Sequence, residues 1–227
     1  MGLIDSAAMG GAYSGLVIAD GAAGAWKLDD ASAAFDVTGN GHDGTVTNGT
    51  LNTSGGPGNR PYLSFAGSGQ VTVPYWSALN TIGGAFSAEI WFRCASAPAG
   101  NTGVLYRSIG GVETWGMDVR PSRVLEAYYY NGTSYPEYAS GNNVWATATW
   151  NHFVLVKAGS SGAATLYLNG TSIGTITAGA VASNTWAGLV IGGASTSAKR
   201  FTGDLALAAW YPTALSGAQV AAHAAAA

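Results

Sequence analysis

WNHFVLVKAGSSGAATLYLNGTSIG, residues 150–174, decides the fold. Its opening, Trp150 to Lys157, is rich in the aromatic and β-branched residues that suit a pleated, half-buried strand. A Gly/Ser turn, Ala158 to Ala163, interrupts it. Thr165 to Leu168 then alternates, with Leu166 and Leu168 on one side and Thr165 and Tyr167 on the other. Asn169-Gly170 supplies the two positive-φ positions of a type I′ hairpin, and Thr171 to Thr177 returns as a third strand. Slipping this meander by one residue would turn both leucines out to water, so its register is set locally. In HFVLV the apolar residues occupy both faces, Phe153 and Leu155 on one, Val154 and Val156 on the other. That strand is expected to be covered twice, by an opposite sheet and by a loop, the N-terminal arm or another subunit.

Working outward, strand-like runs recur with turn signals every 8–12 residues or so, the all-β pattern. Phe86 to Arg93 is a strong strand, and Trp115 to Val119 and Val124 to Tyr130 pair around Pro121-Ser122. Leu189 to Ile191 and Leu205 to Tyr211 complete the set. Ser216 is placed to cap a short Ala-rich helix over Gly217 to Ala226. The expectation is an all-β, two-sheet antiparallel β-sandwich over residues 20–216. An N-terminal arm, strand or extended, precedes it over 1–19, and a short helix and tail follow over 217–227. The absence of a 20–50-residue repeat excludes a propeller or solenoid.

Composition narrows function further. Charged residues make up only 9% against an ordinary share of about 25%. The net charge of −3, with no basic cluster, argues against nucleic acid. The lone cysteine, Cys94, rules out an internal disulfide and reads as a buried, inert thiol. The N-terminus carries Asp5 and no basic residue before its apolar run, a poor secretory signal. The last 23 residues hold Pro212, Ser216, Gln219 and His223, so a membrane span is not expected. A surface this sparse in charge is consistent with burial against neighbours in an assembly, and equally with an Ala-rich base composition.

Several stretches carry a family resemblance. DGAAGAWKLDD (20–30), DVTGNGHDGTV (36–46), FSAEIWFR (86–93), the 150–174 meander, and FTGDLALAAWYPTALSGAQV (201–220) occur in that order. Together they resemble laminin-G-like jellyroll domains of the concanavalin A-like lectin/glucanase superfamily, over residues 20 to 220. The ending AAHAAAA is similar to versions of the domain in bacteriophage virion proteins. The resemblance implies a jellyroll and a non-enzymatic structural protein of a virion surface, a capsid decoration or minor tail protein with glycan-adhesion capacity. Its partners would be other virion proteins, further copies of itself in a homo-oligomer, and a cell-surface glycan. It would assemble in the host cytoplasm and need no signal peptide. A carbohydrate-binding, lectin-like module that uses its sandwich-edge loops is the alternative, and a glycoside hydrolase the third reading. Ala206 and Leu207 stand where the family often carries an Asp-Glu pair, so no acidic role is expected in that strand.

The residues themselves bear on these readings. Glycoside hydrolysis needs two carboxyl groups flanking one bond. Glu113 and Asp118 are the nearest pair, and a spacing of five on one regular strand sends them to opposite faces. GNGHDG, residues 39–44, matches a dinucleotide fingerprint in letters, but TVT follows where a helix is required. No cofactor is expected. Asp36, Asn40 and Asp43 crowd one loop as a weak calcium candidate, with hydrogen bonds to their own turn as the plainer use. The best recognition candidates are aromatic: Tyr128, Tyr130, Tyr135, Tyr138 and Trp145, with Asn131 and Asn142 beside them. Sugar C–H faces stack on such rings, and amides meet hydroxyls. Core packing or a subunit interface is the competing use, since alternate residues of Tyr128 to Tyr130 must face inward. His152 is expected to be a packing residue.

Overall fold

The computed structural model describes residues 12–109, 112–160, 163–177, 179–181, 186–194 and 199–227. A helix, α1 (Ala12–Ala19), leads into short strands β1 (Gly24–Trp26) and β2 (Ala33–Ala34), then β3 (Gly44–Asn52), β4 (Tyr62–Val73) and β5 (Ala85–Arg93). Next come β6 (Thr102–Ile109), β7 (Val112–Arg120), β8 (Val124–Tyr129) and the short β9 (Glu137–Ala139). The deciding stretch forms β10 (Asn151–Ala158), β11 (Ala164–Leu168) and β12 (Thr171–Ile176). Strands β13 (Leu189–Ile191) and β14 (Thr202–Tyr211) and helix α2 (Gly217–Ala225) finish the chain.

The β10–β11–β12 meander has the expected register, with Phe153 opposite Leu168 and Leu155 opposite Leu166. Asn169 and Gly170 have φ of 48° and 82°, as the type I′ turn demands. The jellyroll expectation is met, and its two layers are one hydrogen-bonded ladder, β12-β11-β10-β5-β14-β4-β13-β6-β7-β8-β9. The ladder folds over itself so that β5, β10 and β11 face β6, β7 and β8. Phe86 stacks on Trp115 at 5.5 Å across the gap. The two ends of the ladder then meet, because Tyr138 in β9 donates its hydroxyl to the Ile173 carbonyl in β12. Gly174 makes room for that contact, since a Cβ there would stand 2.0 Å from the Tyr138 ring.

The arm is corrected. Residues 12–19 form a helix, and 1–11 lie outside the described residues. The run AYSGLVIA has no period-2 alternation to hold it as a strand, and its helix is fixed by the packing of Tyr13 and Val17. Tyr13 and Val17 lie on the outer face of β10 and β14, against Val154, Val156, Ala206 and Ala209. Helix α2 joins them through Val220, so the two terminal helices supply the second cover that HFVLV requires. Ser216 caps α2 in a full capping box with Gln219.

Beneath the helices lies a buried polar cluster. Glu89 accepts from His152 Nε2 at 2.9 Å, His223 Nδ1 at 3.1 Å and Tyr211 OH at 2.6 Å. His223 Nε2 reaches Asp20 at 2.9 Å, tying α2 to the end of α1. Burial alone would raise the Glu89 pKa, but hydrogen bonds and charge from both histidines hold it far below the usual carboxylate range. Burial also opposes the charge on His223, yet Glu89 and Asp20 outweigh it and raise its pKa. Cys94 is buried as expected, and that burial pushes its thiol up to about 12. Among the described residues no helix is long and apolar enough to cross a membrane.

Candidate functional site

Strands β7 and β8 carry the site. Their inward faces are apolar: Trp115, Met117 and Val119 from β7, Leu125, Ala127 and Tyr129 from β8. Period-2 geometry therefore sends Gly116, Asp118 and Arg120, with Glu126 and Tyr128, to the outer face. Gly116 lies between Tyr106 in β6 and Tyr128 in the ladder. A Cβ at Gly116 would meet those two rings at 2.6 and 2.8 Å, so the glycine lets them close over the strand. The rings meet edge to face at 6.0 Å.

One β-bulge changes the chemistry. Arg107 pairs with Trp115 and Ser108 with Glu113, leaving Thr114 as an extra residue. The parity of β7 shifts there, and Glu113 joins Asp118 on the outer face. The expectation that these two carboxylates diverge is overturned: both reach Lys199 Nζ, Glu113 at 3.3 Å and Asp118 at 3.4 Å. Tyr128 donates its hydroxyl to Glu113 and accepts from Lys199 at 2.8 Å. Tyr106 donates its hydroxyl to Asp118. The Lys199 ammonium also lies over both rings, at 5.3 Å from Tyr106 and 4.7 Å from Tyr128.

Above this floor is a cavity of about 230 Å³, lined by Asn101, Glu113, Glu126, Tyr128, Tyr135, Glu137 and Lys199. Tyr135 stands at its mouth, 45% exposed, edge to face with Tyr128 at 5.9 Å and tilted on Tyr130 at 5.0 Å. In the ladder Asp118 faces Glu126 directly, and Glu137 faces Tyr128. Burial raises Asp118 to about 6 against the pull of Lys199. Burial also raises Glu126 to about 7, helped by its hydrogen bond with Glu137 and by the charges of Asp118 and Glu137, and opposed by Arg120. Arg120 bridges Glu126 Oε1 at 2.9 Å and Asn101 Oδ1 at 3.2 Å.

The aromatic set expected from the sequence divides. Tyr128, Tyr130 and Tyr135 come together here. Trp145 does not: it is buried between the layers, edge to face with Phe92 at 5.4 Å, which corrects its place among the recognition residues. Tyr138 is half-buried and lies outside the cavity lining, with its hydroxyl closing the sandwich on β12. Asn131 holds its own turn by accepting from Thr133 N and Ser134 N, and Asn142 is exposed in a loop outside the cavity lining. In the calcium candidate loop, Asp36 accepts from Ala25 N, Thr38 N and His42 N, Asp43 accepts from Asp36 N, and Asn40 donates to the Ala23 carbonyl. Among the described residues no group of three His, Cys, Asp or Glu is arranged to hold a metal ion. The alternation in LEAYY is enough to place Glu126 beside Tyr128, whereas Lys199, Asn101 and Glu137 carry no local signal.

A family model described as the concanavalin A-like lectin/glucanases superfamily (Laminin_G_3) matches residues 65–221. The chain belongs to this family. Its jellyroll superposes on a Trypanosoma rangeli sialidase in complex with sialic acid, at a TM-score of 0.67 and 18% identity, over 88% of this chain and 32% of that one. The binding domain of Paraclostridial Mosquitocidal Protein 1 matches at 0.67 and 14%, over 90% and 52%. The binding domain of botulinum neurotoxin DC, solved with rat synaptotagmin II, matches at 0.67 and 14%, over 90% and 51%. The chain thus spans a third to a half of these proteins, and identities this low speak for the fold alone. Comparison with curated protein sequences finds no match.

Proposed function

We propose that this family member is a non-enzymatic glycan-binding module that takes one terminal sugar unit in the cavity bounded by Tyr128 and Tyr135. The observation that carries the reading is Tyr135. A tyrosine ring 45% exposed at the mouth of a polar cavity, and propped by two further tyrosines, is a platform for a sugar C–H face. Asn101, Glu126 and Glu137 stand nearby as partners for hydroxyls. Hydrolysis is disfavoured because Asp118 is fully buried and bonded to Tyr106 and Lys199, while Glu113 is bonded to Tyr128 and Lys199. Neither is free to flank a scissile bond. The test is a glycan array followed by calorimetry on the best ligand. Tyr135→Ala should weaken binding about tenfold or more with an unchanged melting temperature, as expected for one stacking ring. Equal affinity in the variant, or release of free sugar by the wild type, overturns the reading.

We further propose, from the resemblance to phage domains and the 9% charge, that the module is displayed on a virion as a capsid decoration or minor tail protein in homo-oligomeric form. Mass photometry showing only monomers, with no co-sedimentation with particles, would count against that placement.

A further inference from the structure

The polar lining of this cavity is unbalanced. Four carboxyl groups converge on it or on its floor, Glu113, Asp118, Glu126 and Glu137, against the cations Lys199 and Arg120. Asp118 and Glu126 are directly opposite each other in the ladder, a pairing of like charges that costs stability. Glu137 sits diagonally to Glu126 on the far side, two residues from its partner Ala139. Both cations are already engaged by the chain's own groups. Lys199 is engaged by Glu113, Asp118 and the Tyr128 hydroxyl, and Arg120 by Glu126 and Asn101. A ligand entering past Tyr135 therefore meets carboxylate oxygens and no unengaged positive charge among the described residues that line the cavity.

Resting on the glycan-binding reading, we propose that the cavity selects a sugar unit carrying a protonated amine, as in a de-acetylated amino-glycan, and rejects sugars that carry a carboxylate. An ammonium between Glu126 and Glu137 would supply the cation this lining lacks. A carboxylate there would add a fifth carboxyl group with no free cation to meet it. N-acetylation would remove the charge and with it the advantage. The state of Glu126 follows the same logic. Burial, and after it Glu137 on one side and Asp118 on the other, raise its pKa to about 7, with Arg120 pulling against them and Glu113 and Lys199 further in. An ammonium does the proton's work, so binding should expel it. Below about pH 7 the amine ligand should displace a proton, and affinity should rise with pH for as long as the amine keeps its charge.

The experiment titrates the full chain by calorimetry with three probes: a glucosamine tetramer, its fully N-acetylated counterpart, and sialyllactose. At pH 6, buffers of different ionisation enthalpy report proton release. The expected result is at least tenfold tighter binding of the amine tetramer than of the acetylated one, no binding of sialyllactose, and proton release with the amine probe only. Glu137→Gln, an exposed and isosteric change, should shrink the preference to about threefold or less. Acetylated or sialylated probes binding as tightly as the amine, or a preference untouched by Glu137→Gln, overturn the amine selectivity and leave the glycan site standing. Failure of all three probes, with Tyr135→Ala matching the wild type on a broad array, overturns the site itself and the selectivity with it.

Discussion

Gly116 shows how much one missing side chain can decide. It lies between Tyr106 and Tyr128, and each ring is held by a hydroxyl bonded to a carboxylate, so neither can swing away cheaply. Gly116→Ala should cost about 1–3 kcal/mol through overpacking, read as a lower urea midpoint, and should also loosen glycan binding by moving Tyr128. An unchanged midpoint would mean that the rings relax freely and that the floor of the site is soft. Thr114 acts at the same scale by a different route. By inserting one residue it reverses the face on which Glu113 emerges, and strand parity read from the sequence has no means of seeing it. Trp145 marks the opposite limit: its aromatic neighbourhood suggested a surface role, but its ring is part of the core.

At the scale of elements, β10 and the two terminal helices form one unit. The apolar residues on both faces of HFVLV announced two covers, and the structure assigns the second to α1 and α2. What pins them is His223, set between Glu89 and Asp20. An imidazole bridging two carboxylates donates from both nitrogens only when protonated. Its folded pKa stands above the ordinary value of about 6.5, so its stabilisation is complete below that pH and is lost as pH rises through the folded value. The raised carboxyls Asp118 and Glu126 act in the same direction, because the folded state holds their protons longer than the unfolded chain does. The urea midpoint should therefore fall between pH 6 and pH 8.5. His223→Gln should flatten much of that fall, leaving the share due to Asp118 and Glu126. His223→Ala should cost about 3–5 kcal/mol at pH 6, the usual penalty for stranding a buried partner. A slope identical in wild type and His223→Gln would remove His223 from the account.

For the whole molecule, the continuity of the ladder matters most. Both layers belong to one hydrogen-bonded sheet whose ends are joined by Tyr138 and Ile173, and one core cluster spans the gap. Neither layer can lose its partner without exposing that core. Urea unfolding followed by tryptophan fluorescence and by far-ultraviolet circular dichroism should trace one coincident transition. Two separated transitions would mean that the layers, or the helical cover, unfold on their own.

Local sequence determined what depends on neighbours along the chain. The alternation in LEAYY put Tyr129 in the core and Tyr128 outside, Asn169-Gly170 set the meander's register, and Ser216 started α2. The ordered motifs sufficed for the jellyroll. Tertiary structure alone decided the charge of the site and the cover of the sheet. Glu113 reached the cavity through a bulge that exists only against β6, and Lys199 arrived from 86 residues further along the chain. His223 met Glu89 across 134 residues. The physical reason is the same in each case. Face and turn are properties of a few consecutive dihedrals, whereas an ion pair between distant residues is set by where the folded sheet returns them.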